Sequence, residues 1–208
     1  SELEALAQVL LKYPQIYVLS DDIYEKILWN SKFSNILMAC PQLYERTIIL
    51  NGVSKAYAMT GWRIGYAAGP EPLIKAMTKL QSQSTSNACS ISQAASIAAL
   101  NGDQSFIHSM NTIFKQRHDY FIDALNKTLG FKALHADGAF YAFVNIEKAM
   151  STHGFEDDVS FSQWLLEKGL VAGVPGSAFG MNNYIRFSFA CNMNDLTSAI
   201  ARIHKLLN

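Results

Sequence analysis

Apolar and polar positions along the chain follow two rhythms, and the change between them predicts the elements. From Glu2 to Lys12 the apolar residues recur at helical spacing, and Pro14 closes that segment. Three short apolar and β-branched runs follow: IYVLS (Ile16–Ser20), TIILN (Thr47–Asn51) and RIGYAAG (Arg63–Gly69). Each reads as a buried strand, the last ended by Gly69-Pro70. Pro72 then opens a helix at a first-turn position, with Leu73, Ile74, Met77 and Leu80 on one face. The polar stretch SQSTSN, Ser82 to Asn87, reads as a loop. The small-residue run ISQAASIAAL reads as a helix stopped by Asn101-Gly102.

A long periodic segment comes next. Phe106, Ile107, Met110, Ile113, Phe114, Phe121, Leu125 and Leu129 recur at three- and four-residue steps, which predicts one helix over about 105–129. Beyond it, GAFYAFVNI (Gly138–Ile146), LVAGV and YIRFSFA read as strands. FSQWLLEKG reads as a helix stopped at Gly169, and Leu196–Leu207 as a closing helix. The first half therefore predicts strand–helix alternation, as in a mostly parallel sheet, and the second a smaller α+β lobe. The expected division is residues 1–104 and residues 105–208, joined by the long helix.

Composition narrows the function. The 208 residues are half hydrophobic, enough to bury a sizeable core, and 17 basic residues balance 17 acidic ones. That balance argues against nucleic acid or an anionic membrane as the main partner. No apolar run is long enough to span a bilayer, and the acidic N-terminal segment predicts an amphipathic helix rather than a signal peptide. Cys40, Cys89 and Cys191 are scattered without a C-x-x-C pair, which predicts reduced thiols and a cytoplasmic protein. The five histidines show no ligand spacing, so no metal site is expected. Dinucleotide, Walker and nucleophile-elbow glycine patterns are absent.

The stretch NGVSKAYAMTGWRIGY carries two isolated cations in a segment that otherwise reads as interior. Lys55 is either a lysine that snorkels to solvent or a buried amine whose ammonium is disfavoured and which can act as a nucleophile. Arg63, just before a predicted strand, suits either an ordinary ion pair or bidentate capture of a phosphate or carboxylate. Upstream, YVLSDDIYE puts Asp21 and Asp22 at the carboxyl end of a predicted strand, the edge where open α/β sheets bind ligands. Asp22 can equally cap a helix. Tyr24 lies close enough to Asp21 to share a pocket. Arg186 sits in the apolar run YIRFSFA, where an unpaired guanidinium is costly.

GVSKAYAMTGWRIG resembles the lysine signature of class I and II pyridoxal-phosphate aminotransferases throughout, and VLSDDIYE is similar to that family's strand-end aspartate and tyrosine. GAFYAF and YIRFSFA resemble its small-domain strands, so the resemblance covers nearly the whole chain, most closely to bacterial aspartate aminotransferases. It implies part of a pyridoxal-phosphate transferase large domain followed by a C-terminal α+β small domain. It also implies a pyridoxal 5'-phosphate cofactor carried by Lys55 as a Schiff base. Asp21 would pair with the pyridine nitrogen, Tyr24 with the ring oxygen and Arg63 with the phosphate, while Arg186 would bind the substrate carboxylate. Ser82, Ser84 and Thr85 would belong to a loop that approaches a partner subunit's cofactor site, or simply be solvated. The implied reaction moves an amino group between an L-amino acid, aspartate favoured, and a 2-oxo acid such as 2-oxoglutarate, in a homodimer. Aromatic amino acids or prephenate, another reaction of the same fold type, and a fragment lacking the family's first half are the alternatives. Two departures stand out. Gly52 takes a position where some relatives carry a phosphate-binding serine, and Ala88 one where proline is common.

Overall fold

The structure, a computed structural model, describes residues 2–208. The chain divides into two compact units, one running to His108 and the second from Ser109 to Asn208.

The first unit opens with helix α1, Glu2–Leu11. Strand β1 (Val18–Asp21) follows, then the short helix α2 (Ile36–Ala39) and a 3-10 turn, Pro41–Arg46. Next come β2 (Thr47–Gly52) and β3 (Gly65–Ala68), then α3 (Glu71–Ser84) and α4 (Ser90–Asn101). β1 runs parallel to β2, with Asp21 opposite Leu50, whereas β3 returns antiparallel with Gly65 opposite Gly52. Connection length accounts for the difference: a parallel pair needs a long crossover, which α2 and its flanking turns supply, and the shorter 53–64 segment simply folds back. Ala7, Ile36, Cys40 and Leu43 form a small core with Leu3, Leu10, Leu11, Val18 and Leu37 packed around it. Asn35 caps α2 by accepting the Met38 N–H at 2.9 Å. Arg46 closes the carboxyl end of α1, donating to the carbonyls of Leu10, Tyr13 and Ile16 at 2.7, 2.7 and 2.8 Å.

Helix α5 (Ser105–Asn126) leads into the second unit. There β4 (Lys132–Ala133) and β5 (Tyr141–Asn145) precede α6 (Glu147–His153) and α7 (Asp158–Gly169). Then come β6 (Val174–Pro175), a 3-10 turn Gly176–Phe179, β7 (Tyr184–Ser188) and α8 (Met193–Leu207). The sheet order is β4-β5-β7-β6, and every pairing in it is antiparallel. Alternation decides its faces. Ala142, Val144, Ile185 and Phe187 point into the core, while Tyr141, Phe143, Tyr184 and Arg186 stay half-buried on the other face. α8 covers the core with Leu196, Ile200, Ile203 and Leu207, a stripe at helical spacing. Phenylalanines fill the centre: Phe121 meets Phe187 edge-on at 6.1 Å, and Phe131 lies 6.3 Å from Phe161.

Several sequence expectations are corrected. The strand expected over Ile16–Ser20 is not buried, since Leu19 is 63% exposed, and α3 buries none of its residues, Leu80 being 74% exposed. The periodicity of these elements is right, but nothing among the described residues of the first unit covers those faces. The polar SQSTSN stretch is not all loop. α3 continues to Ser84, helped by the Ser82 hydroxyl donating to the Lys79 carbonyl, and breaks only at Ser86 with φ 63°. The LVAGV strand shrinks to Val174–Pro175, because Leu170 adopts a left-handed φ of 52° that ends α7 and turns the chain. α2, α6 and β4 had no periodic signal of sufficient length to be expected.

Candidate active site

Because β1 and β2 are parallel, their carboxyl ends, Asp21 and Gly52, share one edge of the first unit's sheet. The chain leaves β1 through a turn in which Asp22 and Tyr24 carbonyls accept the Glu25 and Ile27 N–H groups, both at 2.9 Å. The two adjacent acids then separate by environment. Asp22 is buried at 6% exposure and accepts from the Ser20 hydroxyl at 2.7 Å and the Asn35 amide at 2.8 Å. Those bonds meet the demand of a buried carboxylate and tie the strand end to α2. Asp21 is exposed and accepts only a long bond, 3.3 Å, from the Ile23 N–H. Of the pair, Asp21 is the carboxylate free to meet a ligand.

Lys55 sits in the turn that follows β2. Its carbonyl accepts the Ala58 N–H at 3.0 Å, and Met59 N–H returns to the Val53 carbonyl at 3.2 Å. Val53 and Ala56 on either side are buried, but Lys55 itself is half-buried rather than enclosed as the apolar flanks suggested. Its Nζ lies 5.9 Å from the centre of the Tyr24 ring. The amine and the phenol, far apart in sequence, are thus neighbours. The Thr60 hydroxyl donates to the Ser54 carbonyl at 3.1 Å, and Arg63 donates to the Thr60 carbonyl at 3.0 Å. Arg63 is exposed and left-handed, φ 56° and ψ 45°, and Ala58 is left-handed too, φ 52°. Non-glycine residues rarely adopt this conformation, and such strain gathers at sites where geometry is over-determined.

Gly52 has a steric reason to lack a side chain. A Cβ there would stand 2.9 Å from the Ile64 carbonyl oxygen, 3.2 Å from Ile23 Cδ1 and 3.3 Å from the Gly65 Cα. Three pieces of the site meet at that point: the turn after β1, the end of β2 and the start of β3. Sequence reasoning missed a second support. Lys26 donates to the Tyr57 hydroxyl at 2.7 Å, and that hydroxyl donates to Gln104 Oε1 at 2.8 Å. Gln104 in turn donates to the Ala99 and Gly102 carbonyls at 2.9 and 2.8 Å, so the lysine turn is anchored to the end of α4. No local signal could have joined residues so widely spaced.

Arg186 belongs to the second unit. It lies on the half-buried face of β7, with the Tyr141 and Phe179 rings 4.3 and 4.2 Å from its Cζ. Among the described residues its guanidinium makes no hydrogen bond or ion pair. Ser82, Ser84 and Thr85 end α3 and are exposed, with the Ser82 hydroxyl spent on its own helix. One cluster not expected from sequence brings His118, Asp119 and His135 ligand atoms within 4.8 Å of one another. The Ala136 N–H donates to His118 Nε2 at 2.9 Å, so the ring proton sits on Nδ1 and goes to Asp119 Oδ1, also at 2.9 Å. Lys115 holds the other Asp119 oxygen at 2.6 Å, and its hydrogen bond keeps that carboxyl below the usual range. These bonds brace α5 against the loop before β5.

The model of the family described as aminotransferase class I and II matches residues 1–203. The chain belongs to that family. It is similar to the aspartate/prephenate aminotransferase of Nitrosomonas europaea, 51% identical over all of this chain and 54% of that protein. Among solved structures it resembles the aspartate aminotransferase of Rhizobium meliloti, with a TM-score of 0.89 and 43% identity over 96% of this chain and 52% of that one. The aromatic aminotransferase of Pyrococcus horikoshii superposes with a TM-score of 0.90 at 32% identity, covering 99% of this chain and 54% of that one. The chain thus spans about half the length of these relatives, and it matches their carboxyl-terminal part. Its fold is that of the aspartate aminotransferases. Members of the aminotransferase family use pyridoxal phosphate. The donor set at the edge of the first sheet fits that group: a carboxylate for a ring nitrogen, a phenol beside an amine, and an exposed guanidinium for a phosphate.

Proposed function

We propose that the chain is the carboxyl-terminal part of a pyridoxal-phosphate aminotransferase that exchanges an amino group between an L-amino acid, aspartate favoured, and a 2-oxo acid such as 2-oxoglutarate. The observation that carries this reading is the approach of Lys55 Nζ to the Tyr24 ring, on the same sheet edge as Asp21. When bound, the cofactor supplies an electron sink for charge that develops at the substrate α-carbon. The chain's own residues do the rest. Lys55 would hold the cofactor through its amine and would serve as the base that takes and returns the proton at the substrate α-carbon. Asp21 would pair with the ring nitrogen and keep it protonated, a role that its single weak hydrogen bond leaves open. Tyr24 would donate to the ring oxygen, beside the Lys55 amine. Arg63 would hold the phosphate, and Arg186 the substrate α-carboxylate. The domain reading follows: residues 1–104 end the large cofactor domain, and residues 105–208 form the small domain.

Aromatic amino acids and prephenate remain substrate candidates, in keeping with the names of relatives. A cytoplasmic homodimer is the proposed setting; no helix among the described residues is long and apolar enough to cross a membrane. A second reading, that this stretch alone does not hold the cofactor, draws on the uncovered faces of β1, α3 and α4, where Leu19, Leu80 and Ile91 are 63%, 74% and 78% exposed. One experiment addresses both. The full-length protein and the 208-residue chain are each mixed with pyridoxal phosphate, reduced with borohydride and digested. The expected result is a cofactor adduct on Lys55 in the full-length protein, lost in Lys55→Ala. Absence of that adduct would overturn the proposal, and an adduct on the short chain would overturn the second reading.

A further inference from the structure

We propose that Tyr141 and Phe179 are positioning residues for Arg186: they grip its guanidinium between two aromatic rings and leave its N–H edge aimed at an incoming carboxylate. The inference rests on the reading of Arg186 as the carboxylate-binding residue. It adds an account of how that side chain is held.

The topology brings the two rings to Arg186 from segments on either side of β7. β7 lies between β5 and β6, and Arg186 stands opposite Phe143 on one neighbour and Val174 on the other. Tyr141 comes from the β5 side, one pleat repeat from Phe143 and on the same face of the sheet. Phe179 comes from the β6 side, at the end of the 3-10 turn Gly176–Phe179. Their ring centres lie 4.3 and 4.2 Å from Arg186 Cζ, well within the range of cation–π attraction.

Each ring is itself held. Phe179 meets Phe143 edge-on at 6.2 Å, and Phe143 stacks on Tyr184 at 4.9 Å. The turn that carries Phe179 is pinned where the Ser177 N–H donates to the buried carboxylate of Asp158 at 2.7 Å. A second bond, Met181 N–H to the Gly176 carbonyl at 3.0 Å, closes the loop beyond it. Tyr141 is braced by Phe140, 4.8 Å away.

The chemistry explains why rings suit this task. A guanidinium offers two π-faces and a rim of five N–H donors. An acidic partner would fix the side chain by taking the rim, and would cancel the charge that attracts a carboxylate. Two rings fix it through the faces and leave rim and charge available. Arg186 fits that description, since its guanidinium makes no hydrogen bond or ion pair among the described residues. Ordering the side chain beforehand lowers the entropy lost when substrate binds, so the effect belongs in affinity rather than in the chemical step.

The test uses the full-length protein loaded with pyridoxal phosphate. Steady-state constants for the amino donor are measured, together with the Kd for maleate, a carboxylate that has no amino group to transfer. Tyr141→Ala and Phe179→Ala are each expected to raise KM and the maleate Kd by about three- to thirtyfold, with kcat changed far less. Tyr141→Phe, which keeps the ring, is expected to bind as the parent does. Tyr141→Leu and Phe179→Leu hold the volume without the ring and are expected to weaken binding, which covers the case of an alanine variant that does not fold. Leucine variants that bind maleate like the parent, or a Tyr141→Phe variant as weak as Tyr141→Ala, would overturn the clamp while Arg186→Ala still abolishes binding. Maleate binding that survives Arg186→Ala would instead overturn the carboxylate reading of Arg186, and the clamp with it.

Discussion

Gly52 and Gly65 face each other across β2 and β3, yet a methyl group should act on them with opposite signs. At Gly52 the new carbon would stand 2.9 Å from the Ile64 carbonyl oxygen and 3.2 to 3.3 Å from two further atoms, one of them the Gly65 backbone. Backbone cannot swing aside as a flexible side chain can, so the strands must part or the turn must shift. Overpacking of this kind costs about 1–3 kcal/mol. At Gly65 the nearest atom to the new carbon is the Asn51 carbonyl oxygen at 3.5 Å, an ordinary contact. There Gly65→Ala chiefly restricts the unfolded chain and should stabilise by about 0.4–1 kcal/mol. For a protein of this size each kcal/mol moves the thermal midpoint by about 2–4 °C. Unfolding followed by far-ultraviolet circular dichroism should therefore show Gly52→Ala lowered by several degrees and Gly65→Ala unchanged or raised. Since β2 ends at Gly52 and leads directly into the Lys55 turn, Gly52→Ala should also weaken cofactor binding, and Gly65→Ala should not. Equal shifts in the two variants, or a Gly52→Ala protein as stable as its parent, would refute the steric argument.

Phe161→Ala, at a fully buried position beside Phe131 and Trp164, should cost about 3–5 kcal/mol and be read as a large fall in the midpoint of the second unit. Arg46→Met removes three bonds to the carbonyls of Leu10, Tyr13 and Ile16 and should cost about 1–2 kcal/mol. Hydrogen exchange should show it as faster opening of α1. Asp119 has a depressed pKa, chiefly from the Lys115 hydrogen bond, so its contribution is present above the ordinary carboxylate pKa and is lost as pH falls through the depressed value. Lys115→Met should flatten that part of an acid-unfolding curve by lowering stability near neutrality and not at low pH, and by a small amount because the pair is 44% exposed.

The second unit was legible in sequence because it contains its own core. The stripe Leu196, Ile200, Ile203 and Leu207 buries against a sheet whose alternation is visible in YIRFSFA, so periodicity and burial agree. The first unit was legible in type but not in burial. The patterns of β1 and α3 are those of covered elements, and the described residues of that unit leave Leu19 and Leu80 in solvent. The turn segments misled for another reason. Leu170 and Ser86 are left-handed without being glycine, and side-chain identity gives little warning of that.

By itself, the amino-acid sequence determined which reactive groups the chain holds and in what order. Lys55 with its small flanks, the Asp21–Tyr24 strand end, Arg63 and Arg186 are local patterns, written in neighbouring residues. The tertiary structure decided what each of those groups is free to do. It buried Asp22 on Ser20 and Asn35 and left Asp21 exposed, it bent Arg63 into a left-handed turn, and it set Arg186 between two rings. The physical reason is range. Periodicity and turn chemistry act over a few residues, whereas burial, hydrogen-bond partners and ring contacts depend on segments brought together from far along the chain.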